Sequence, residues 1–155
     1  MKRIAMTLLA CGALPLGAAE PAGFVSWPAA EMRAYGKKLA PKMNEQKVAT
    51  EQLGKFGRHS AMVAYREASG EAEVHETVAD IFVVSAGEAT LVVGGKVVGG
   101  KSTGPGEIRG TSIEGGVKKK LLPGDVAHIP ANTPHQVVLA PGAKPFTYMI
   151  VKIEK

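Results

Sequence analysis

Glu73-Val74-His75-Glu76-Thr77-Val78-Ala79-Asp80-Ile81-Phe82-Val83-Val84-Ser85-Ala86-Gly87 is the stretch on which the reading of this 155-residue chain turns. Glu73 and His75 stand two apart, so on one strand their side chains project to the same face, close enough to reach a common ion. Asp80 lies five residues further on, an odd offset that regular alternation would turn away. A short bend at Thr77-Val78-Ala79 restores it, letting Asp80 begin the next strand and point back to the same centre. The run Ile81 to Val84 is apolar on both faces, the mark of a strand covered on both sides, as when one face lines a barrel and the other meets a second sheet or subunit. Far downstream, His135 follows the turn residues Pro130-Ala131-Asn132-Thr133-Pro134 and opens another strand, with Val137 to Leu139 again apolar on both faces. Two carboxylates and two imidazoles suit zinc, manganese, iron or nickel and leave positions open for water or substrate.

Outward from this stretch the pattern is all-β. From His59 onward short apolar runs alternate with Gly and Pro, as in a sandwich or barrel. Strands are expected near 59 to 67, 72 to 77, 80 to 86, 88 to 93, 96 to 98, 107 to 113, 117 to 122, 125 to 129, 135 to 140 and 146 to 153. Gly94-Gly95 reads as a two-residue hairpin turn with positive φ. From Gly94 to Gly116 there are nine glycines in 23 residues. That segment has too few side chains to build core, so a loop with a central strand is expected, either a cover over the barrel mouth or an inert insertion.

The spacings resemble those of the cupin superfamily. Its first motif, a Gly, then His-x-His, three or four residues, Glu, six residues and Gly, is matched by Glu73-Val74-His75, four residues, Asp80, six residues and Gly87. Its second, a Gly, five residues, Pro-x-Gly, two residues, His, three residues and Asn, is matched by Gly124, five residues, Pro130-Ala131-Asn132, two residues, His135, three residues and Leu139. The resemblance covers residues 59 to 153. It implies a cupin β-barrel (a double-stranded β-helix or jelly roll) in which Glu73, His75, Asp80 and His135 occupy the family's four ligand positions around one divalent metal ion. Glu73 stands where the family has its first His, and Asp80 replaces Glu. The site therefore gains negative charge and becomes harder, which disfavours copper and points to manganese, iron or zinc, with nickel also admissible. Asn132 replaces Gly and can adopt the left-handed conformation; Leu139 replaces Asn and is expected to pack.

Further candidates flank this constellation. His128 alternates with Val126 and is expected either to face the cavity as a donor or acid-base group beside the metal ligands, or to be a satisfied structural histidine. On the first strand, His59, Tyr65 and Arg66 are candidates, but opposite parity keeps Tyr65 and Arg66 from both facing inward. Glu76 points away from His75, to solvent. Gly95-Lys96-Val97-Val98-Gly99-Gly100-Lys101-Ser102 fits the phosphate-loop pattern, yet Thr103-Gly104-Pro105-Gly106 follows it and no helix can start there, so the match is a coincidence. Lys118-Lys119-Lys120 reads as a solvated strand end or edge protection.

Before the barrel, Met1-Lys2-Arg3, the apolar run Ile4 to Leu16 and Gly17-Ala18-Ala19 form a signal-peptide pattern over residues 1 to 19, so export to the periplasm or medium is expected. A lipoprotein reading through Leu8-Leu9-Ala10-Cys11 ranks lower, because Leu9 sits where a smaller residue is usual. The run is too short and interrupted to be a good membrane span. Cleavage removes the only cysteine and lowers the formal charge from +5 to +3, leaving no thiol chemistry and no disulfide. Residues 20 to 58 are expected as a helical arm, helical and polar as far as Leu53: Ser26 as cap, Pro28 in the first turn, helix formers from Ala29 to Leu39 and Pro41 as terminator. Residues 59 to 155 make the barrel. Aromatics are only 5% of the chain and no basic stripe interleaves with them, which argues against nucleic acid. The functional expectation is a homodimeric, metal-binding protein that binds or acts on a small oxygenated metabolite. If an enzyme, it is a metal-dependent isomerase or epimerase, or a dioxygenase; the alternative is a non-catalytic binding or sensing module.

Overall fold

The computed structural model describes residues 19–155, so the signal-peptide and Cys11 readings lie outside the described residues. Helix α1 (Ala29–Leu39) forms where alanine and long-chain helix formers predict it, and a 3-10 turn, Ala40–Lys42, carries the Pro41 that stops it. Its N-cap is Pro28 and no side chain caps it, so Ser26 does not play the expected part. The helical reading to Leu53 fails. Val48–Phe56 is strand β1, paired antiparallel with β2 (His59–Arg66) across a turn in which Gly57 takes a φ of 66°. Glu45, Gln46, Glu51 and Gln52 favour helix weakly, but pairing with a neighbouring strand outweighs that preference. The sheet therefore begins about ten residues before His59.

The remaining strands are β3 (Ala72–His75), β4 (Val78–Ala86), β5 (Ala89–Val93), β6 (Lys96–Val98), β7 (Lys101–Gly104), β8 (Glu107–Gly110), β9 (Ser112–Glu114), β10 (Val117–Leu121), β11 (Val126–Ile129), β12 (His135–Val138) and β13 (Phe146–Glu154). One sheet runs β1-β2-β13-β4-β11 and faces a second, β10-β5-β12-β3-β8-β7. Between them lies a core of Phe82, Val84, Leu91, Leu121, Ile129, Val137, Leu139, Phe146, Tyr148 and Ile150. Leu139 packs there as expected. Phe146 is wholly buried, and each such side chain removed from water contributes roughly 1.5–3 kcal/mol.

The outer face of the first sheet is covered by α1. Tyr35 and Leu39 pack on Ala49, Val63 and Tyr65, with Met32 and Leu53 at the margin. Trp27 and Met32 line a pocket with Val83 and Met149, so the apolar outer side of β4 meets the arm rather than a second sheet. The same parity settles the pair on β2: Tyr65 goes out to the helix, and Arg66 goes in. Among the described residues no helix is long and apolar enough to cross a membrane.

The Gly-rich segment is more ordered than expected. Gly94 and Gly95 do take φ of 76°, but they join no hairpin: β5 pairs with β10 and β12, while β6 pairs with β9. Both glycines turn the chain out of the sheet into that two-stranded ribbon. It then returns as β7 and β8, and β8 zips onto β3. No helix follows Ser102, which sits in β7, consistent with rejecting the phosphate loop. Lys118, Lys119 and Lys120 are exposed on β10, the edge strand of the second sheet, where charge discourages further pairing.

Candidate metal centre

The site forms where β3, β4, β12 and β13 come together inside the barrel. Glu73 and His75 face inward from β3, on the side opposite Ala72 and Val74. A bend at Glu76-Thr77 then shifts the alternation, and Asp80 faces inward from β4 in line with Phe82 and Val84. His135, the first residue of β12, pairs with Glu73 across the sheet. Asn132 enables its approach with a φ of 60°, and its amide donates to the His75 carbonyl at 2.7 Å, tying the two motifs together directly.

Glu73, His75 and His135 each offer a ligand atom within 4.8 Å of the others, so this cluster could hold a metal ion. Asp80 belongs to the same group: its Oδ2 is 3.3 Å from His75 Nε2 and 3.6 Å from His135 Nε2. His75, Asp80 and His135 are each at most 3% exposed. The four residues named from the spacing are therefore brought to one place.

Both imidazoles are oriented from behind. His75 Nδ1 meets the Glu107 carboxylate at 2.7 Å, and an ionised carboxylate can only accept, so Nδ1 donates and Nε2 faces the cluster. His135 Nδ1 donates to the Thr133 carbonyl at 3.0 Å, which aims its Nε2 at the cluster. That Nε2 is buried with no hydrogen-bond partner. A buried ring nitrogen left unsatisfied costs about 1–3 kcal/mol, and its lone pair would be taken up by a cation bound beside the Glu73 and Asp80 carboxylates. By donor chemistry and orientation the four residues fit a divalent ion.

A further cation already stands at the edge of the cluster. Lys152, inward-facing on β13 in register with Asp80, places Nζ 3.1 Å from Asp80 Oδ1 and 2.9 Å from His75 Nε2. On the opposite side Arg109 of β8 pairs with Glu73 and lies 3.6 Å from Glu107. Burial alone would push both carboxyls up. Instead His135, His75 and Lys152 hold the Asp80 carboxyl well below the usual carboxylate range, and His75 with Arg109 lowers that of Glu73. Burial works against a charged His75, but the Asp80 and Glu73 carboxylates outweigh both it and Lys152, raising the ring to about 9.

His128 is not part of this arrangement. It pairs with Ile81, one residue off the inward parity of Asp80 and Phe82, and so stands exposed on the outer face with Val126. His59 is exposed too, stacked on Phe56 at 5.3 Å, and Glu76 faces solvent as expected. Sequence reasoning missed Glu107, Arg109 and Lys152. The alternation Phe146, Tyr148, Ile150, Lys152 carried a usable signal, because it puts a lysine at the inward parity of an otherwise apolar strand. Glu107 and Arg109 carried almost none, being hidden among glycines.

Beside the cluster a cavity of about 330 Å³ opens between the sheets, lined by Glu73, Asp80, His135 and Lys152 at one end, by Phe82, Tyr148 and Ile150 along its length, and by Arg66, Gly70 and Glu71 beyond. Its size is that of a small-molecule site.

No protein-family model matches the chain, and no curated protein matches it by sequence. Solved structures do match the fold. The TT1209 protein of Thermus thermophilus is similar at 22% identity and a TM-score of 0.54, over 76% of this chain and 92% of that one. A cupin superfamily protein of Desulfitobacterium hafniense DCB-2 is similar at 16% identity and 0.50, over 72% and 82%. The DMSP lyase DddQ of Ruegeria pomeroyi DSS-3 is similar at 20% identity and 0.51, over 70% and 48%, so this chain spans about half the length of that enzyme. At such identities the likeness is one of fold.

Proposed function

We propose that this chain, which has the fold of the cupin superfamily, binds one divalent metal ion through Glu73, His75, Asp80 and His135 and uses it to bind or transform a small oxygenated metabolite in the adjoining cavity. The observation that carries this reading is the buried, unpartnered Nε2 of His135, turned toward the Asp80 carboxylate and held in that orientation by the hydrogen bond of Nδ1 to the Thr133 carbonyl. Bound there, the ion would polarise a carbonyl or enolate oxygen of the ligand or activate a water. The chain's own residues supply the rest. Glu107 fixes the His75 ring, Arg109 holds Glu73 in place, Phe82 packs at 6.2 Å edge-on to His135, and Tyr148 and Ile150 exclude water from the ligand's apolar part. Glu73 and Lys152 both reach the cavity, a carboxylate and an amine able to take or give a proton there. Such a pair suits proton relocation next to a carbonyl, as in an isomerase or epimerase, better than oxygen chemistry, because the carboxylate-rich ligand set leaves few neutral donors for a redox iron.

The hard donor set favours manganese, iron or zinc, with nickel admissible. Elemental analysis of protein purified without chelator is expected to find about one equivalent of metal, lost in both His135→Ala and Glu73→Ala. Unchanged metal content in both variants would remove the site assignment. One observation favours a second reading: Lys152 Nζ lies within hydrogen-bonding distance of both His75 and Asp80, so the ammonium itself would serve as the cation of a metal-free binding protein. A wild-type protein free of metal would select it.

Export, with cleavage after Ala19, is part of the same proposal. It rests on the basic start, apolar run and small-residue site, and N-terminal sequencing of the periplasmic fraction tests it. Assembly as a homodimer is likewise proposed, and sedimentation equilibrium tests it.

A further inference from the structure

Arg66 is a charged cavity residue that the metal reading leaves without a task. It faces inward from β2, 8% exposed, and its Nε is buried with no hydrogen-bond partner. None of the ion pairs among the described residues includes it. The nearest aromatic group is the Tyr148 ring, 6.0 Å from the guanidinium carbon. On its other side the guanidinium lies against Gly70, so closely that a Cβ at position 70 would collide with Nη1. The two Nη atoms make no hydrogen bond or ion pair with the described residues and open to the cavity, so a partly buried charge with an unpartnered Nε presents two free donors there, and a cation–π contact at that distance offsets only part of the cost of burial.

We propose that Arg66 is the anchor for a carboxylate on the ligand, whose other end reaches the metal cluster. The proposal rests on the reading of that cluster as a metal site and adds the ligand's chemical class to it. Charge supports it: Arg66, Arg109 and Lys152 line the cavity against Glu71, Glu73 and Asp80, so a divalent ion leaves the cavity net positive. Geometry supports it as well. Tyr148, under the guanidinium, and Lys152, at the cluster, are four residues apart on β13, roughly 13 Å of strand rise. Subtracting about 3 Å for a guanidinium–carboxylate hydrogen bond and about 2 Å for a metal–oxygen bond leaves a molecule about five to seven heavy atoms long. The ligand class is therefore a short oxygenated carboxylic acid, with its acid on Arg66 and a carbonyl, hydroxyl or second carboxyl at the ion.

Succinate and its uncharged diamide are suitable probes, titrated calorimetrically into the metal-loaded full chain. Wild type is expected to bind succinate and to bind the diamide at least about tenfold more weakly, the usual scale for losing charge-assisted hydrogen bonds. Arg66→Met is expected to weaken succinate by a similar factor with metal content unchanged, and Arg66→Lys to recover part of it. Gly70→Ala, which displaces the guanidinium while keeping its charge, is expected to weaken succinate too, and it serves if Arg66→Met does not fold. Equal affinity for succinate and diamide, no binding of either, or wild-type succinate affinity in Arg66→Met or Gly70→Ala would overturn the proposal. Protein that carries metal but ignores Arg66 in this way leaves the metal reading intact. Protein that holds no metal yet binds succinate through Arg66 removes the metal reading and keeps the anchor.

Discussion

Replacing Lys152 with methionine tests whether a metal ion and the lysine ammonium compete for this site. The ammonium lies 3.1 Å from Asp80 Oδ1, and Asp80 is 2% exposed. At an effective dielectric of about 20 that pair is worth about 5 kcal/mol before desolvation. Desolvation of the carboxylate, the lysine's partial exposure and its repulsion from the charged His75 ring reduce the net to about 2 kcal/mol. In the metal-free state Lys152→Met should therefore lose about 2 kcal/mol, a fall in Tm of roughly 6–10 °C for a domain of this size. The metal-bound state should lose far less, because an ion on Nε2 of His75 must first displace the ammonium that lies 2.9 Å from the same atom. The difference appears as tighter metal binding, up to about thirtyfold for 2 kcal/mol. Some is given back, since Lys152 also opposes protonation of His75, and without it a proton competes harder. About tenfold tighter binding at pH 8 is the expected result, measured by competition against a chromophoric chelator, alongside thermal melts with and without EDTA. An unchanged metal affinity together with an unchanged metal-free Tm would refute the reasoning, and weaker metal binding would make Lys152 a support of the site rather than its rival.

Glu107→Gln keeps the shape of the group behind His75 but removes the charge, and metal affinity should drop about 10–100-fold with the circular dichroism spectrum unchanged. Metal affinity should also depend on pH with a definite sign. His75 is raised to about 9 in the metal-free protein, so below pH 9 a proton must leave before an ion can bind, and affinity should rise about tenfold per pH unit between pH 6 and 9 and then level off, read by the same chelator competition. The linked stability runs the other way: the raised ring stabilises metal-free protein fully below its unfolded value near 6.5, and that contribution disappears as pH climbs from there through 9, so metal-free Tm should fall over the same interval. Gly87→Ala should cost several kcal/mol in urea titrations, because residue 87 has a φ of 75° and its new Cβ would run into the backbone carbonyl of Pro145.

The inward parity of Glu73 and His75, the bend that recovers Asp80 and the left-handed turn at Asn132 were all legible, because each follows from a period of two or from a backbone conformation that few residues adopt. Strand β1 was not. Its Val48-Ala49-Thr50-Glu51-Gln52 run carries no strong local preference, and only the hydrogen bonds of β2 and the burial of Ala49 under α1 decide it. His128 was misplaced for want of register: its alternation with Val126 was correct, but which face that alternation met depended on its pairing with Ile81 rather than Phe82.

The Gly-rich segment shows why the residues around a ligand set resist sequence reading more than the ligands do. Ligand positions are set by strands whose apolar runs announce them. The groups that aim those candidate ligands come instead from wherever the chain happens to return, here from Glu107 and Arg109 on β8, which lies in the chain between the two strands of the β6–β9 ribbon. Glu107 pairs with His75 and Arg109 with Glu73, residue for residue across the same two strands, so one added strand orients both candidate ligands of the first motif at once. The glycines of that segment lower its side-chain content and hide its purpose, yet they let it turn sharply enough to come back in register. At Gly110, where β8 ends, any Cβ would strike Val97 and the Val98 carbonyl of the ribbon. The close backbone approach there holds β8 to the ribbon, and the same strand carries the carboxylate that keeps His75 Nε2 facing the centre.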